Sequence, residues 1–362
     1  MIQYIRCRSR YIDTVVNLTW ISYPFFCETE LLIGWKDKSF PTGRSYYLSL
    51  LSMCALSACH AEKGALFTNS LDKGPGKSVA NSFLKEALRI VPSTYEKEGD
   101  IDLLRSYGLL ALVGVQTRDT TLLHRYLGLY HGLAAHIGFH TERHWPSSLS
   151  QCEKETWRRI FWSMYRLEVH NACVLGHIVR VPEAQTFVEY PCGIHHTPLL
   201  PGRNGKFENW FAGWNFSSDL YRILENALVD FRAARTAQTS ILWSRTPSRV
   251  ASILQQLSVM QSNLKPEFAQ AAMRTPDCGS NRCGFQVANI LSTIHVCPKR
   301  FQIKRLLTIY QLVKMITFAS EESSLGKACQ TAQDLVDSMR TVPLDYIRAF
   351  NTPLVITQLL RF

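Results

Sequence analysis

The segment from residue 150 to residue 176 constrains the fold more than any other part of the sequence. Ser150 and Glu153 form a capping-box pattern, in which a hydroxyl and a carboxylate satisfy free backbone N–H groups at a helix start. One helical face then carries residues at three- and four-residue spacing: Trp157, Ile160, Phe161, Met164, Leu167, Asn171, Val174 and Leu175. The pattern predicts one long helix that ends near Gly176 and packs this face against other helices.

Helical spacing recurs along most of the chain and predicts an all-α fold of about a dozen helices. The predicted helices cover 43–60, 78–90, 100–115, 120–137, 150–175, 210–237, 248–264, 286–294, 304–320, 326–340 and 346–360. No run of residues alternates between apolar and polar in the way that a strand requires. Residues 1–42 contain Pro24 and Pro41, so they are predicted to be an irregular segment with one short helix at most. Residues 43–362 are predicted to form the helical domain.

The composition excludes several classes of protein. The chain has 362 residues, of which 46% are hydrophobic and 19% charged, so it can bury a large core and is not a disordered chain. Lys plus Arg minus Asp plus Glu is 40 − 29 = +11, but this excess is spread along the sequence and no DNA-reading motif accompanies it. The longest uncharged stretch, 45–61, is too polar for a membrane span, so no membrane contact is expected.

The eleven cysteines are an odd number at irregular spacing, which argues against a disulfide framework and favours reduced thiols in an intracellular protein. Four of them lie inside apolar runs, where a thiol packs as a small hydrophobic group: Cys54, Cys59, Cys173 and Cys329. Two other groups have metal-ligand chemistry. The first is Cys192 with His195 and His196, and the second contains Cys278, Cys283, His295 and Cys297. Neither has the short, regular spacing of a structural zinc site, so no metal and no cofactor are expected.

Catalytic patterns are missing from the sequence. A covalent mechanism needs a nucleophile, a base and an orienting group held together. The chain has no Gly-x-Ser-x-Gly elbow and no paired-histidine metal motif. The sequence therefore predicts that the protein is not an enzyme.

Several segments, in the family's order, resemble the middle homology region of fungal zinc-cluster (Zn2Cys6) transcription factors. Residues 47–58 (YLSLLSMCALSA) look like its early buried helix, and residues 131–140 (HGLAAHIGFH) are similar to the helix that ends in Gly-Leu-His. Residues 155–165 (ETWRRIFWSMY) look like the family's Glu, Arg-Arg, Phe-Trp signature helix. The stretch 182–191 resembles the connection that follows it, and residues 328–353 resemble the closing helices.

The likeness extends over residues 20–360, and it defines a set of signature residues: Glu155, Arg158, Arg159, Phe161, Trp162 and Gly176. We interpret them as structural. The two arginines are expected to pair with Glu153, with Glu155 or with a neighbouring helix, the alternative being a phosphate or an acidic partner. The aromatic residues are expected to pack in the core. Where the family has Gly-Arg-Pro after this helix, the chain has Gly176-His177-Ile178.

The resemblance implies a nuclear transcription regulator of a fungal metabolic or secondary-metabolite pathway. Its helical regulatory domain, residues 43–362, would bind a protein partner, either a zinc-cluster regulator or a second copy, or a small-molecule effector in an apolar pocket. The family's DNA reader is a six-cysteine cluster that holds two zinc ions, and these residues contain no such cluster. DNA contact is therefore expected to be indirect. Two alternatives stay open: a helical enzyme or cofactor-binding domain, and a truncated fragment of a zinc-cluster activator.

Overall fold

The computed structural model describes residues 23–37, 39–62, 78–93, 101–192, 207–236, 249–263, 306, 308–320 and 324–340. These ranges contain nine α-helices with defined ends: α1 Glu28–Asp37, α2 Arg44–Glu62, α3 Val79–Ile90, α4 Ile101–Thr117, α5 Thr120–His136, α6 Gln151–Leu175, α7 Phe207–Thr236, α8 Val250–Ser262 and α9 Leu325–Arg340. Residues 308–319 are helical as well. Within the described ranges there is no strand, only an isolated bridge between Thr141 and Phe187.

The prediction of an all-α fold is confirmed, although the described part of the chain has fewer helices than the dozen expected. The predicted helices at 286–294 and 346–360 lie outside the described residues. No helix in the ranges described is long and apolar enough to cross a membrane.

The helix boundaries follow from local sequence chemistry. Ser78 caps α3 by accepting the Asn81 N–H at 3.1 Å, and Asp119 caps α5 by accepting the Leu122 N–H at 2.9 Å. Beyond the end of α5, Gly138 has a φ of +64°, and a Cβ there would lie 2.5 Å from His144 Nδ1. Only glycine combines that backbone conformation with so close a neighbour.

The chain divides into two compact units. The first unit consists of Met1–Glu168, Arg180–Glu208 and Leu344–Leu360, and the second of Val169–Val179, Asn209–Pro343 and Arg361–Phe362. Residues 43–362, predicted as one domain, thus contribute to both. The periodic pattern of α6 continues without interruption past residue 168, where the first unit gives way to the second. Sequence periodicity therefore does not indicate this boundary.

The core of the first unit is built around α2, which contacts α3 and α4, while α4 packs against α5. Fourteen residues of α2, from Leu48 to Ala61, are all buried. Because a buried hydroxyl needs a partner, the serines of α2 donate to the preceding turn, as Ser52 does to the Leu48 carbonyl at 2.8 Å. A helix apolar on all sides is one that other elements surround.

The segment before α1 has no regular secondary structure, as predicted, and it belongs to this core. Phe25 and Phe26 are 0% and 3% exposed. Arg105 of α4 donates from Nε to the Phe25 carbonyl at 2.6 Å, and its guanidinium lies 4.4 Å from the centre of the Phe26 ring. Within the range predicted as irregular, residues 1–42, the structure therefore has a buried segment at 23–27 followed by α1.

The second unit packs the end of α6 with α7. His170 Nδ1 lies 3.1 Å from the Tyr221 hydroxyl, and Arg232 donates from Nη2 to the Ala172 carbonyl at 2.6 Å. Apolar residues at helical spacing on α7 are buried: Leu220, Leu224, Ala227 and Leu228. Tertiary burial of such a face, more than intrinsic propensity, stabilises a helix of this length.

Candidate functional site

The signature helix α6 begins with the capping box that the sequence predicts. Glu153 accepts from both the N–H and the hydroxyl of Ser150, each at 2.7 Å, and the Ser150 hydroxyl in turn accepts the Glu153 N–H at 3.3 Å. This end of α6 sets the position of every signature side chain that follows along the helix.

Arg158 is the centre of an ion-pair cluster on α6. It donates from Nε and Nη2 to the two carboxylate oxygens of Glu142, both at 2.8 Å, and from Nη1 to Glu155 at 3.1 Å. Its Nη2 also donates to Glu189. Hydrogen bonding to the Glu142 carboxylate raises the pKa of Arg158 above its ordinary value, so the guanidinium stays charged. The two-pronged contact with Glu142 is the strong form of an arginine–carboxylate pair.

Glu155 is almost fully buried at 1% exposure, and it links α6 to the segment 177–192, which we call the connector. One carboxylate oxygen accepts the backbone N–H of Cys192 at 2.7 Å, and the other faces the Cys192 thiol at 3.3 Å and Arg158. A buried carboxylate is tolerated only with such partners. Glu155 therefore fixes the end of the described connector.

Trp162 holds the connector two turns beyond Glu155 along α6. Its indole N–H donates to the Glu189 carbonyl at 2.9 Å, and its ring lies 4.6 Å from the Tyr190 ring, centre to centre. The Glu189 N–H donates to the Glu142 carboxylate at 2.8 Å. These two glutamates are therefore joined twice, once by this backbone hydrogen bond and once by Arg158, which binds both carboxylates. The connector is thus docked on the signature helix.

Phe161 lies in an aromatic cluster with Phe139, Trp145 and Trp157. The centre of the Phe139 ring lies 5.6 Å from the ring centre of Trp145, 5.5 Å from that of Trp157 and 6.2 Å from that of Phe161. All four side chains are buried, and offset or edge-on packing of this kind adds to the stabilisation from burial itself.

Arg159 has no exposed surface. Its Nε donates to the Glu155 carbonyl at 3.0 Å and its Nη2 to the Thr156 hydroxyl at 2.7 Å. Burial lowers the pKa of Arg159. The contact with Glu155 that the i,i+4 spacing predicts is therefore made through the Glu155 backbone carbonyl, while Arg158 meets the Glu155 carboxylate.

Gly176, the last signature residue, ends α6 with a φ of +80°, as the sequence predicts. A side chain there would find open space, so the backbone conformation, and not crowding, accounts for the glycine.

Glu168, which is not one of the signature residues, anchors the connector at a second point. Arg180 donates its backbone N–H and its Nε to one Glu168 oxygen at 3.0 and 2.9 Å, and its Nη2 to the other at 2.8 Å. His131 Nε2 lies 3.0 Å from the same carboxylate. Burial, the largest influence, raises the pKa of Glu168, but hydrogen bonds from His131 and Arg180 together outweigh it and lower the pKa to about 2.

One sequence signal for this anchor existed. Glu168 follows Leu167 on the helical face predicted to be buried, and a carboxylate beside such a face requires a cation. The sequence does not predict which residues pair with Glu168, because Arg180 and His131 are 12 and 37 residues away along the chain.

The arrangement holds the connector in place. In the part of the chain that the structure describes, no group of three or more His, Cys, Asp and Glu side chains can hold a metal ion. His195, His196 and the group of Cys278, Cys283, His295 and Cys297 lie outside the described residues.

Replacing Arg158 with alanine is expected to lower the free energy of unfolding by about 2 kcal/mol. The variant leaves the buried Glu155 without its cation, but Glu142 and Glu189 are 21% and 75% exposed and can be solvated, which reduces the cost. Urea unfolding measures the change. Arg89→Ala, which removes an exposed pair with Glu86 on α3, is the matched control and is expected to leave the midpoint unchanged. Equal midpoints for both variants would contradict the inference that Arg158 stabilises the fold through its ion pairs.

The fold and the signature helix together define a helical regulatory domain. The sequence profile of the fungal specific transcription factor domain matches residues 34–266, more than half of the 362 residues. The chain belongs to this family, which consists of regulatory domains of transcription factors and not of enzymes. The match begins before the predicted boundary at residue 43 and ends before 328–353, so the likeness of that last stretch stays a prediction. No curated protein and no solved structure matched the chain.

Proposed function

We propose that this chain is a nuclear regulator of transcription in a fungal metabolic or secondary-metabolite pathway, and that its helical domain acts by binding a protein partner or a small effector. The family match carries the proposal, because it covers α2 to α8 and includes the signature helix with its docked connector. The ion pairs of Arg158 and Glu168 hold this part of the domain in one arrangement, as a binding surface requires.

A protein partner is the proposed route to DNA. These 362 residues contain no six-cysteine cluster, and their positive charge is spread along the chain instead of forming a groove-reading element. The proposed partner is a zinc-cluster regulator or a second copy of the chain, and contact with promoters is indirect.

Two side chains of the second unit support the effector half of the proposal. Asn171 and Ser217 are each 2% exposed, and neither the Asn171 amide nor the Ser217 hydroxyl has a hydrogen-bond partner in the described protein. Both lie on the helices that the His170–Tyr221 hydrogen bond joins. Buried polar groups normally have hydrogen-bond partners. We propose that a bound small molecule with donors and acceptors supplies the partners of these two side chains. Native mass spectrometry that finds no molecule retained by the purified chain would contradict this half.

Chromatin immunoprecipitation of the tagged chain, with and without a protein–protein crosslinker, tests the proposal. Enrichment at discrete promoters that requires the protein crosslinker is the expected result, because the partner makes the DNA contact. An untagged strain is the control for background. Stable expression outside the nucleus, with no enrichment under either condition, would overturn the regulatory proposal and favour the helical-enzyme alternative.

A further inference from the structure

We propose that Cys27 and Cys152 form a redox modification site, in which the two thiols are converted to a reversible disulfide. Their sulfur atoms lie 3.0 Å apart although the residues are 125 positions apart in the chain. Both belong to the first compact unit. The bond would join the buried segment that precedes α1 to the first turn of the signature helix α6.

Both cysteines are held at their positions by the surrounding backbone. The Cys27 carbonyl accepts the Leu31 N–H at 3.1 Å at the start of α1. The Cys152 carbonyl accepts the Thr156 hydroxyl at 2.9 Å, and the capping box fixes the turn that contains Cys152. A disulfide is about 2.0 Å long, so the sulfur atoms need to approach each other by about 1 Å.

The two thiols differ in access, and this difference assigns their roles. Cys27 is buried, at 7% exposed, whereas Cys152 is part-exposed. An oxidant in solution therefore meets Cys152 first, and Cys27 resolves the product. Other described cysteines are placed differently: Cys54 is enclosed within α2, and Cys192 faces Glu155.

The environment of Cys152 bears on how fast this thiol is oxidised. Burial, more than the adjacent Cys27, raises the pKa of Cys152 to about 12, while the nearby Arg159 guanidinium acts in the opposite direction. Little thiolate is therefore present at neutral pH, and thiolate is the reacting form. Oxidation is therefore expected to be slow, and the oxidant that we propose is a low-molecular-weight disulfide such as glutathione disulfide.

The reaction balances as two thiol–disulfide exchanges. Cys152, after losing its proton, attacks one sulfur of glutathione disulfide, so that a mixed disulfide forms and one glutathione leaves and takes up a proton. Cys27 then loses its proton and attacks the Cys152 sulfur, which breaks the mixed disulfide and releases the second glutathione. The protein loses two electrons and two protons, and the glutathione disulfide gains both.

The disulfide would close a loop of more than a hundred residues and restrict the unfolded chain accordingly. It would also keep the segment at residues 23–27 on the signature helix. We therefore expect the oxidised chain to melt higher than the reduced chain by about 5 °C or more.

The test is equilibration of the purified full chain in glutathione buffers of increasing oxidising strength, followed by trapping of free thiols and peptide mapping. The expected product is a Cys27–Cys152 linked peptide that has lost two hydrogen atoms, together with the rise in melting temperature. Cys27→Ser and Cys152→Ser should lose both effects. Cys329→Ser, which removes an exposed thiol on α9, is the matched control and should keep them.

Three results would overturn the proposal: full alkylation of both thiols in the most oxidising buffer, glutathione retained on Cys152 with no link to Cys27, or a link between Cys152 and another cysteine. Because the mapping is made on the unsubstituted chain, it decides the matter even where a serine variant fails to fold.

Discussion

Replacing Glu168 with alanine is expected to lower the free energy of unfolding by about 3 kcal/mol. Glu168 is 1% exposed and holds both His131 and the backbone and side chain of Arg180. Removing one partner of a buried ion pair leaves the others without compensation. The expected loss is at the lower end for such pairs, since Arg180 is 31% exposed and can turn to solvent. Denaturant unfolding followed by circular dichroism measures it.

The same carboxylate is expected to make the stability depend on acid pH. The folded pKa of Glu168 is about 2, below its ordinary value of 4.5, so the ionised form is favoured in the folded protein. Its stabilising contribution is complete above pH 4.5 and is lost as the pH falls towards 2. Glu168→Gln, which has no carboxylate, should show a weaker decline in stability over that interval.

Glu86→Ala is the matched control for both measurements. Glu86 also pairs with an arginine, but it lies on the exposed face of α3, where water replaces the lost partner. Its unfolding midpoint should stay at the unsubstituted value. If Glu168→Ala behaved like Glu86→Ala, the inference that Glu168 anchors the connector would be wrong.

The second large effect is expected at Gly114, where α4 approaches α5. A Cβ at this position would lie 2.5 Å from the Leu123 backbone nitrogen and 3.0 Å from the Asp119 carbonyl oxygen. These are backbone atoms of the adjoining helix, so no side chain can rotate to relieve the contact. Gly114→Ala should therefore lower the free energy of unfolding by about 3 kcal/mol, the upper range for overpacking, as measured by urea unfolding.

Gly128→Ala provides the opposite result on the neighbouring helix. Gly128 lies in the interior of α5, and a Cβ there would meet nothing within 4 Å. Alanine loses less conformational freedom on forming a helix, so this variant should gain about 0.5–1 kcal/mol. A gain of equal size in both variants would show that helix propensity, and not the close approach of α4 to α5, governs these positions.

The two anchors act on different ends of one connector. Arg180 joins its beginning to Glu168, while Glu155, Arg158 and Trp162 hold the part from Glu189 to Cys192. Three of the signature residues, Glu155, Arg158 and Trp162, thus have a common physical purpose in this chain. They satisfy the polar groups of a segment that has little regular structure of its own.

Local chemistry explains why the helices and their ends were predictable. Ser78, Asp119 and the Ser150–Glu153 pair cap helices through contacts within three residues, so their effect is contained in short sequence patterns. The helical spacing of apolar residues likewise needs no distant partner. The prediction of about a dozen helices is for the whole chain, and the described residues contain fewer.

Partners at long sequence separation were not predictable. Arg158 is predicted to pair with Glu153, with Glu155 or with a neighbouring helix, and it does meet Glu155. Its other partners, Glu142 and Glu189, come from 16 and 31 residues away. The burial of Phe25 depends on Arg105, 80 residues further along the chain. A charged side chain in a sequence shows that a partner is needed without showing which one.

The sequence by itself determined the all-α class, the caps, the signature helix and the family resemblance, because each rests on spacing within a few turns. Only the tertiary structure decided that the connector is docked, that Glu168 anchors it and that the sulfurs of Cys27 and Cys152 meet. These contacts arise when buried charges and thiols, which cannot remain solvated in a packed core, take whichever partners the folding of distant segments brings to them.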